Sequence, residues 1–133
     1  MTPADIDAAF QPILAALEEL EGVSIYLGTS PEGLGQSANL IIATGTLTTV
    51  AGPFATCEIS LILDSPALPG DLATHNTRAA AIRAALADKA QLLEDFTSEA
   101  CELVGTHLAR RDQRTQDDRW IFEVVLGAGF TAI

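Results

Sequence analysis

Apolar positions in this chain recur with two periods, and the switches between them mark its elements. Ile6, Phe10, Ile13, Leu14, Leu17 and Leu20 fall at helical spacing and define one apolar face. Thr2 is placed to cap that helix, Pro3 suits its first turn, and Asp5 stands three residues after the cap near the positive end of the dipole. Pro12 removes a backbone donor from the face, so a kink or two helical pieces are expected there, with Gly22 ending the helix. Glu18, Glu19 and Glu21 then crowd its negative end, an unfavourable placement worth roughly a few tenths of a kcal/mol each unless a basic partner relieves it.

The period next falls to two. Val23, Ile25 and Leu27 alternate with Ser24, Tyr26 and Gly28, which predicts a half-buried strand. Thr29 to Ser37, with Pro31, Gly33 and Gly35, reads as a loop. Ala38 to Val50 is rich in β-branched residues and reads as a strand bent at Gly45. Ala51-Gly52-Pro53 turns the chain into Phe54 to Leu63, where Cys57, Ile59, Leu61 and Leu63 share a face, so a long hairpin is expected. After a loop from Asp64 to Gly70, Asp71 or Thr74 caps a second helix with the stripe Ala79, Ile82, Ala85 and Leu86. Gln91 to Phe96 reads as a short helical turn. Ala100 to Arg111 and Arg119 to Phe130 read as a last pair of strands around a charged loop. The prediction is one α+β domain over residues 1–133, in the order α-β-β-β-α-β-β. Its two main helices pack on one face of a mostly antiparallel sheet of about four to five strands.

Composition narrows the function. The chain has 133 residues, 18 acidic against 7 basic side chains, and a formal net charge of -11. With 48% hydrophobic residues it has the apolar content to build a core, which excludes a disordered acidic tail. The acidic balance argues against a nucleic-acid-binding surface, which needs clustered Lys and Arg to displace phosphate counterions. Cys57 and Cys101 allow at most one disulfide, have no metal-ligand spacing, and read as buried free thiols. Neither a secretory signal pattern nor a run of about 18 apolar residues is present, so a chain folding first in a reducing cytoplasm is expected.

The charge is unevenly placed. Asp5, Asp7, Glu18, Glu19, Glu21, Glu32, Glu58, Asp64 and Asp71 precede the first basic residue, Arg78. Arg110, Arg111, Arg114 and Arg119 lie within ten positions of one another. Two readings of that basic segment stand: its arginines and three aspartates satisfy one another, or its guanidinium forks dock onto an acidic face. The second makes Arg110, Arg111, Arg114, Arg119, Glu18, Glu19 and Glu21 the candidate subunit or partner interface.

Candidates for chemistry are few. His75 and His107 occur in no HxxxH, HxH or CxxC context, and read as helix-surface and sheet-face residues. A hydrolase would need one of them in a pocket beside Ser and Asp. Gly33-Leu34-Gly35 and Gly127-Ala128-Gly129 lack the full dinucleotide or phosphate-loop pattern, and Asp117-Asp118 reads as a turn former.

The segments from Cys57 to Ser65 and from Thr74 to Leu86, with the closing Arg119-Trp120-Ile121-Phe122-Glu123-Val124, resemble phage tail terminator and tail-completion proteins. The resemblance covers most of the chain in element order. It implies a structural protein of the virion tail or neck, present in the host cytoplasm before assembly, with no cofactor and no reaction. Such proteins form a ring, commonly a hexamer, that stops tail-tube growth and joins the tail to the head connector. The implied partners are further copies of the chain, tail-tube proteins and head-connector proteins, with no membrane. The genome passes through the channel without specific binding, and a net-negative ring would repel it. Rival readings are another neck or tail-tube subunit, or a non-viral oligomeric binding module.

Overall fold

The computed structural model describes residues 1–29 and 37–133. Pro31, Glu32 and the Gly33-Leu34-Gly35 motif of the expected loop lie outside the described residues. Helix α1 spans Pro3–Ala15 and is capped as the sequence predicts. The Thr2 hydroxyl accepts from the Asp5 amide, and the Asp5 carboxylate accepts from the Thr2 amide at 2.7 Å. The Thr2 hydroxyl also donates to the Asp5 carboxylate at 2.9 Å, and this bond first, then that from the Thr2 amide, holds the Asp5 carboxyl below its ordinary range.

Two expectations about this helix are corrected. It runs without a break through Pro12, and it ends at Ala15 rather than at Gly22. Leu17 is extended, with ψ 123°, and the chain restarts as a 3₁₀ turn, Glu18–Leu20. Glu18, Glu19 and Glu21 therefore stand beyond the helix and not against its negative end. Gly22 follows this turn at φ +83°, a conformation that favours glycine.

The remaining order is β1 Ser24–Leu27, β2 Asn39–Thr44, β3 Thr48–Ala51, β4 Phe54–Pro66, α2 Leu72–Ala87, α3 Lys89–Asp95, β5 Cys101–Gln116 and β6 Arg119–Ala132. Three α-helices and one six-stranded sheet are thus present among the described residues. The segment read as one bent strand is two, β2 and β3, because the chain leaves the ladder around Gly45, whose amide bonds the Glu58 carbonyl at 2.8 Å. The short helical turn expected near Gln91 is the full helix α3, capped by the Asp88 carboxylate.

The sheet order is β1-β2-β4-β6-β5, with β3 also paired to β4. Every pairing is antiparallel except β1 with β2. β4 and β6 form the spine, in register from Phe54↔Thr131 to Pro66↔Arg119. Strand alternation sends Ile59, Leu61 and Leu63 of β4 and Phe122, Val124, Leu126 and Phe130 of β6 to one face. Helix α1 covers it with Ile6, Phe10 and Leu14, α2 with Ala79, Ile82 and Leu86, and α3 with Leu92. Phe96 sits between Phe10 and Phe130, its ring centroid 5.5 Å from each, and seals the corner where α3 leads into β5.

Candidate functional site

The basic segment is not a loop. Residues 110–116 continue β5, and only Asp117 and Asp118 form the connection to β6. Both have positive φ, 50° and 58°, which is the backbone of a tight two-residue hairpin turn. The segment reads as a loop in sequence because its residues are polar on both sides. In the structure every residue from Leu108 to Asp118 is exposed, so no apolar period exists to reveal the strand.

Recasting the loop as a strand separates the four arginines. Arg110, opposite Val125, and Arg114, opposite Ile121, lie on the sheet face away from the helices; Arg111, opposite Val124, lies on the helix side. Arg119, on β6, shares the open face. Arg110 pairs with Glu58 of β4 at 3.2 Å. Arg114 reaches Asp112 at 2.7 Å and Glu123 of β6 at 3.2 Å. Those hydrogen bonds, that of Asp112 first, raise the Arg114 pKa above its ordinary range. Arg119 pairs with Asp64 and donates to the Ser37 carbonyl at 3.3 Å. The partners are thus mostly acids of neighbouring strands; among the loop's own aspartates only Asp112 forms an ion pair among the described residues.

Arg111 is the exception. It has no ion pair among the described residues, and it lines a cleft of about 450 Å³ between α2 and the hairpin. Asn76, Ala79, Ala80 and Arg83 of α2 form the opposite wall, and Gln113 adds an amide beside Arg111. Arg83 is exposed and likewise has no ion pair among the described residues. Sequence reasoning missed Arg83. The signal was its spacing from Asn76 and Ala80, which puts all three on one flank of the helix.

The candidate acids lie on α2's other side. Arg78 donates to the main-chain carbonyls of Glu19 at 3.3 Å and Glu21 at 3.2 Å, which pins the 3₁₀ turn to the helix. The carboxylates of Glu18, Glu19 and Glu21 are exposed and form no ion pair among the described residues. Within one molecule the basic and acidic candidates therefore do not meet.

The histidines divide. His107 is an exposed residue of β5, as expected, and its ring lies across Gly127 so closely that a Cβ there would stand 2.3 Å from it. His75 is not on the helix surface. It is 4% exposed, because it belongs to the buried stripe with Ala79, Ile82 and Leu86. Its Nδ1 shares a 2.7 Å hydrogen bond with the Ser65 hydroxyl, and its ring is 5.9 Å from that of Trp120. Burial pushes the His75 pKa below its ordinary 6.5; Arg78 adds to the effect and Asp64 opposes it. A serine and a histidine thus do meet, but Ser65 is itself 5% exposed and the Asp64 carboxylate is held by Arg119 instead of orienting the imidazole. That arrangement is a packed polar contact.

Cys57 and Cys101 are free and buried, and burial pushes the Cys57 thiol up to about 11, with Asp7 and Cys101 adding to it. Asp7 is buried, accepts from the Thr44 hydroxyl at 2.6 Å, and has its pKa raised by burial. No group of three or more His, Cys, Asp or Glu is arranged to hold a metal among the described residues. No helix is long and apolar enough to cross a membrane among the described residues.

No protein-family model matches the chain, and no curated protein matches it significantly. Solved structures do. A chain in the virion of a native gene transfer agent (GTA) particle aligns over 96% of this chain and 95% of its own length, with a TM-score of 0.65 at 20% identity. At that identity the likeness shows a shared fold over the whole of both chains.

Proposed function

We propose that this chain is a structural subunit of a phage-like virion, and within it the tail terminator. In this reading copies form a ring at the head-proximal end of the tail, end growth of the tail tube and join the tail to the head connector. The observation that carries the virion reading is the end-to-end likeness in fold to a chain of the GTA virion. The finer reading rests on the sequence resemblance to tail terminators and on the charge layout. A net charge of -11 suits the wall of a channel through which a polyanionic genome must pass without sticking.

The terminator reading makes a morphological demand. Particles assembled without the chain should carry tails of uncontrolled length and heads without tails. Electron microscopy that instead showed tails of normal length, correctly joined, would remove it. Its rival is another neck or tail-tube subunit of the same particle. Gold-labelled antibody against the chain separates the two, since a terminator labels one ring below the head and a tube protein labels the whole tail.

A further inference from the structure

We infer that the cleft between α2 and the β5–β6 hairpin is a socket for the acidic 3₁₀ turn of a second copy, with Arg83 and Arg111 gripping its Glu18, Glu19 and Glu21. This rests on the proposal that copies of the chain assemble, and it names the contact through which they do so.

Four of the six arginines are already satisfied within the chain. Arg110, Arg114 and Arg119 have carboxylate partners within their own chain, and Arg78 is committed to two backbone carbonyls. The chain's other guanidinium groups, Arg83 and Arg111, face the same cleft from opposite walls. Asp112 also lines it, but Arg114 takes up that carboxylate at 2.7 Å. Asn76 and Gln113 add amide donors. A recess with two guanidinium forks and two amides is built for carboxylates, because each fork donates two parallel N–H groups.

The same chain carries a matching plug. The 3₁₀ turn presents three exposed carboxylates within four residues, and none has an ion pair among the described residues. Arg78 fixes its backbone, so the turn is a preformed shape that loses little freedom on docking.

Geometry then forbids self-satisfaction. The buried stripe of α2 is His75, Ala79, Ile82 and Leu86. At 3.6 residues per turn, Asn76, Ala80 and Arg83 project on one side of that stripe, whereas Arg78, Ala81 and Ala85 project on the other. Socket and plug therefore stand on opposite flanks of one helix. Each copy must offer its plug to the next copy's socket, a head-to-tail contact that closes into a ring when the rotation permits. Such a contact pairs unlike charges on molecules that otherwise repel, each at net -11, so it fixes register as well as attraction.

The test is a charge swap in the full chain, read by analytical ultracentrifugation, with circular dichroism to check that each variant folds. All five positions are exposed, so the fold should be retained. R83E/R111E should raise the assembly midpoint concentration about tenfold or more, and E18R/E19R/E21R should do the same. A chain carrying both sets restores complementarity with inverted sign and should assemble like the wild type. Assembly unchanged by R83E/R111E overturns the contact while leaving the ring reading intact, and points to another virion protein as the occupant. Failure of the doubly swapped chain to recover also overturns it. A wild-type chain that stays monomeric at the highest attainable concentration overturns both the contact and the ring.

Discussion

The two ends of the β5–β6 hairpin are built from the same ladder and held by different forces. At the root, Cys101 and Leu103 pair with Ala132 and Phe130, and Cys101 and Phe130 are buried in the core with α1, α3 and the Phe96 ring. At the tip the β5 side chains from Arg110 to Gln116 are all exposed, and this edge is held to β6 by backbone hydrogen bonds and surface ion pairs. The Arg110–Glu58 pair is 66% and 57% exposed, whereas Arg119–Asp64 is 17% and 10% exposed. Burial decides stability, because exposed pairs gain little over their hydration while a buried carboxylate stripped of its partner is costly. The root fixes the fold, and the tip is free to specialise as a surface.

Substitutions at the root should hurt most. Phe130→Ala removes a fully buried ring between Phe96 and the sheet, and should cost about 3–5 kcal/mol in chemical denaturation. A loss under about 1 kcal/mol would mean that this end is not the core. Between the regions, Arg119→Ala strands Asp64 and should cost roughly 2–3 kcal/mol, less than a fully buried pair would. Arg110→Ala, by contrast, should fall within about 0.5 kcal/mol of wild type. If these two proved equal, burial would not be what separates the tip from the spine.

A pH series sharpens the same contrast. His75 has a folded pKa below its ordinary 6.5, so the unfolded chain binds more protons there and stability falls as pH drops below about 6.5. His75→Gln should flatten that limb of a Tm-against-pH curve, and a limb left in place by this variant would show that another group sets it. One change should be a gain. Asp118 holds φ 58° in the hairpin turn, and Asp118→Gly relieves that strain while keeping the carbonyl that accepts from the Ala67 amide. A rise of about 0.5–1 kcal/mol is expected. A decrease would show that the Asp118 side chain supports the turn.

Much of this was legible in the chain, and the failures have physical causes. The Thr2 and Asp5 spacing announced the first cap, and the alternation from Cys57 to Leu63 announced the central strand. Those signals work because each arises from a face that must be dry. Where both faces are wet the signal vanishes, and the strand through Arg110–Gln116 read as a loop. Adjacent arginines looked like one patch, but a period of two sends Arg111 to the side opposite Arg110 and Arg114. Arg83 went unnoticed because it joins Arg111 only across the gap between helix and sheet. His75 was readable, since it stands four residues before Ala79 on the apolar stripe, but a polar type was assumed to face water. The parallel pairing of β1 with β2 has no local signature, because nothing in either strand's alternation records the direction of its neighbour.

The central claim is that this chain is a self-assembling structural subunit, and native mass spectrometry of the purified wild-type protein tests it most directly. A single closed oligomer is predicted, with a mass that is one fixed multiple of 14.0 kDa and a population that falls as salt screens the interface. A lone 14.0 kDa species at every concentration and ionic strength would contradict it.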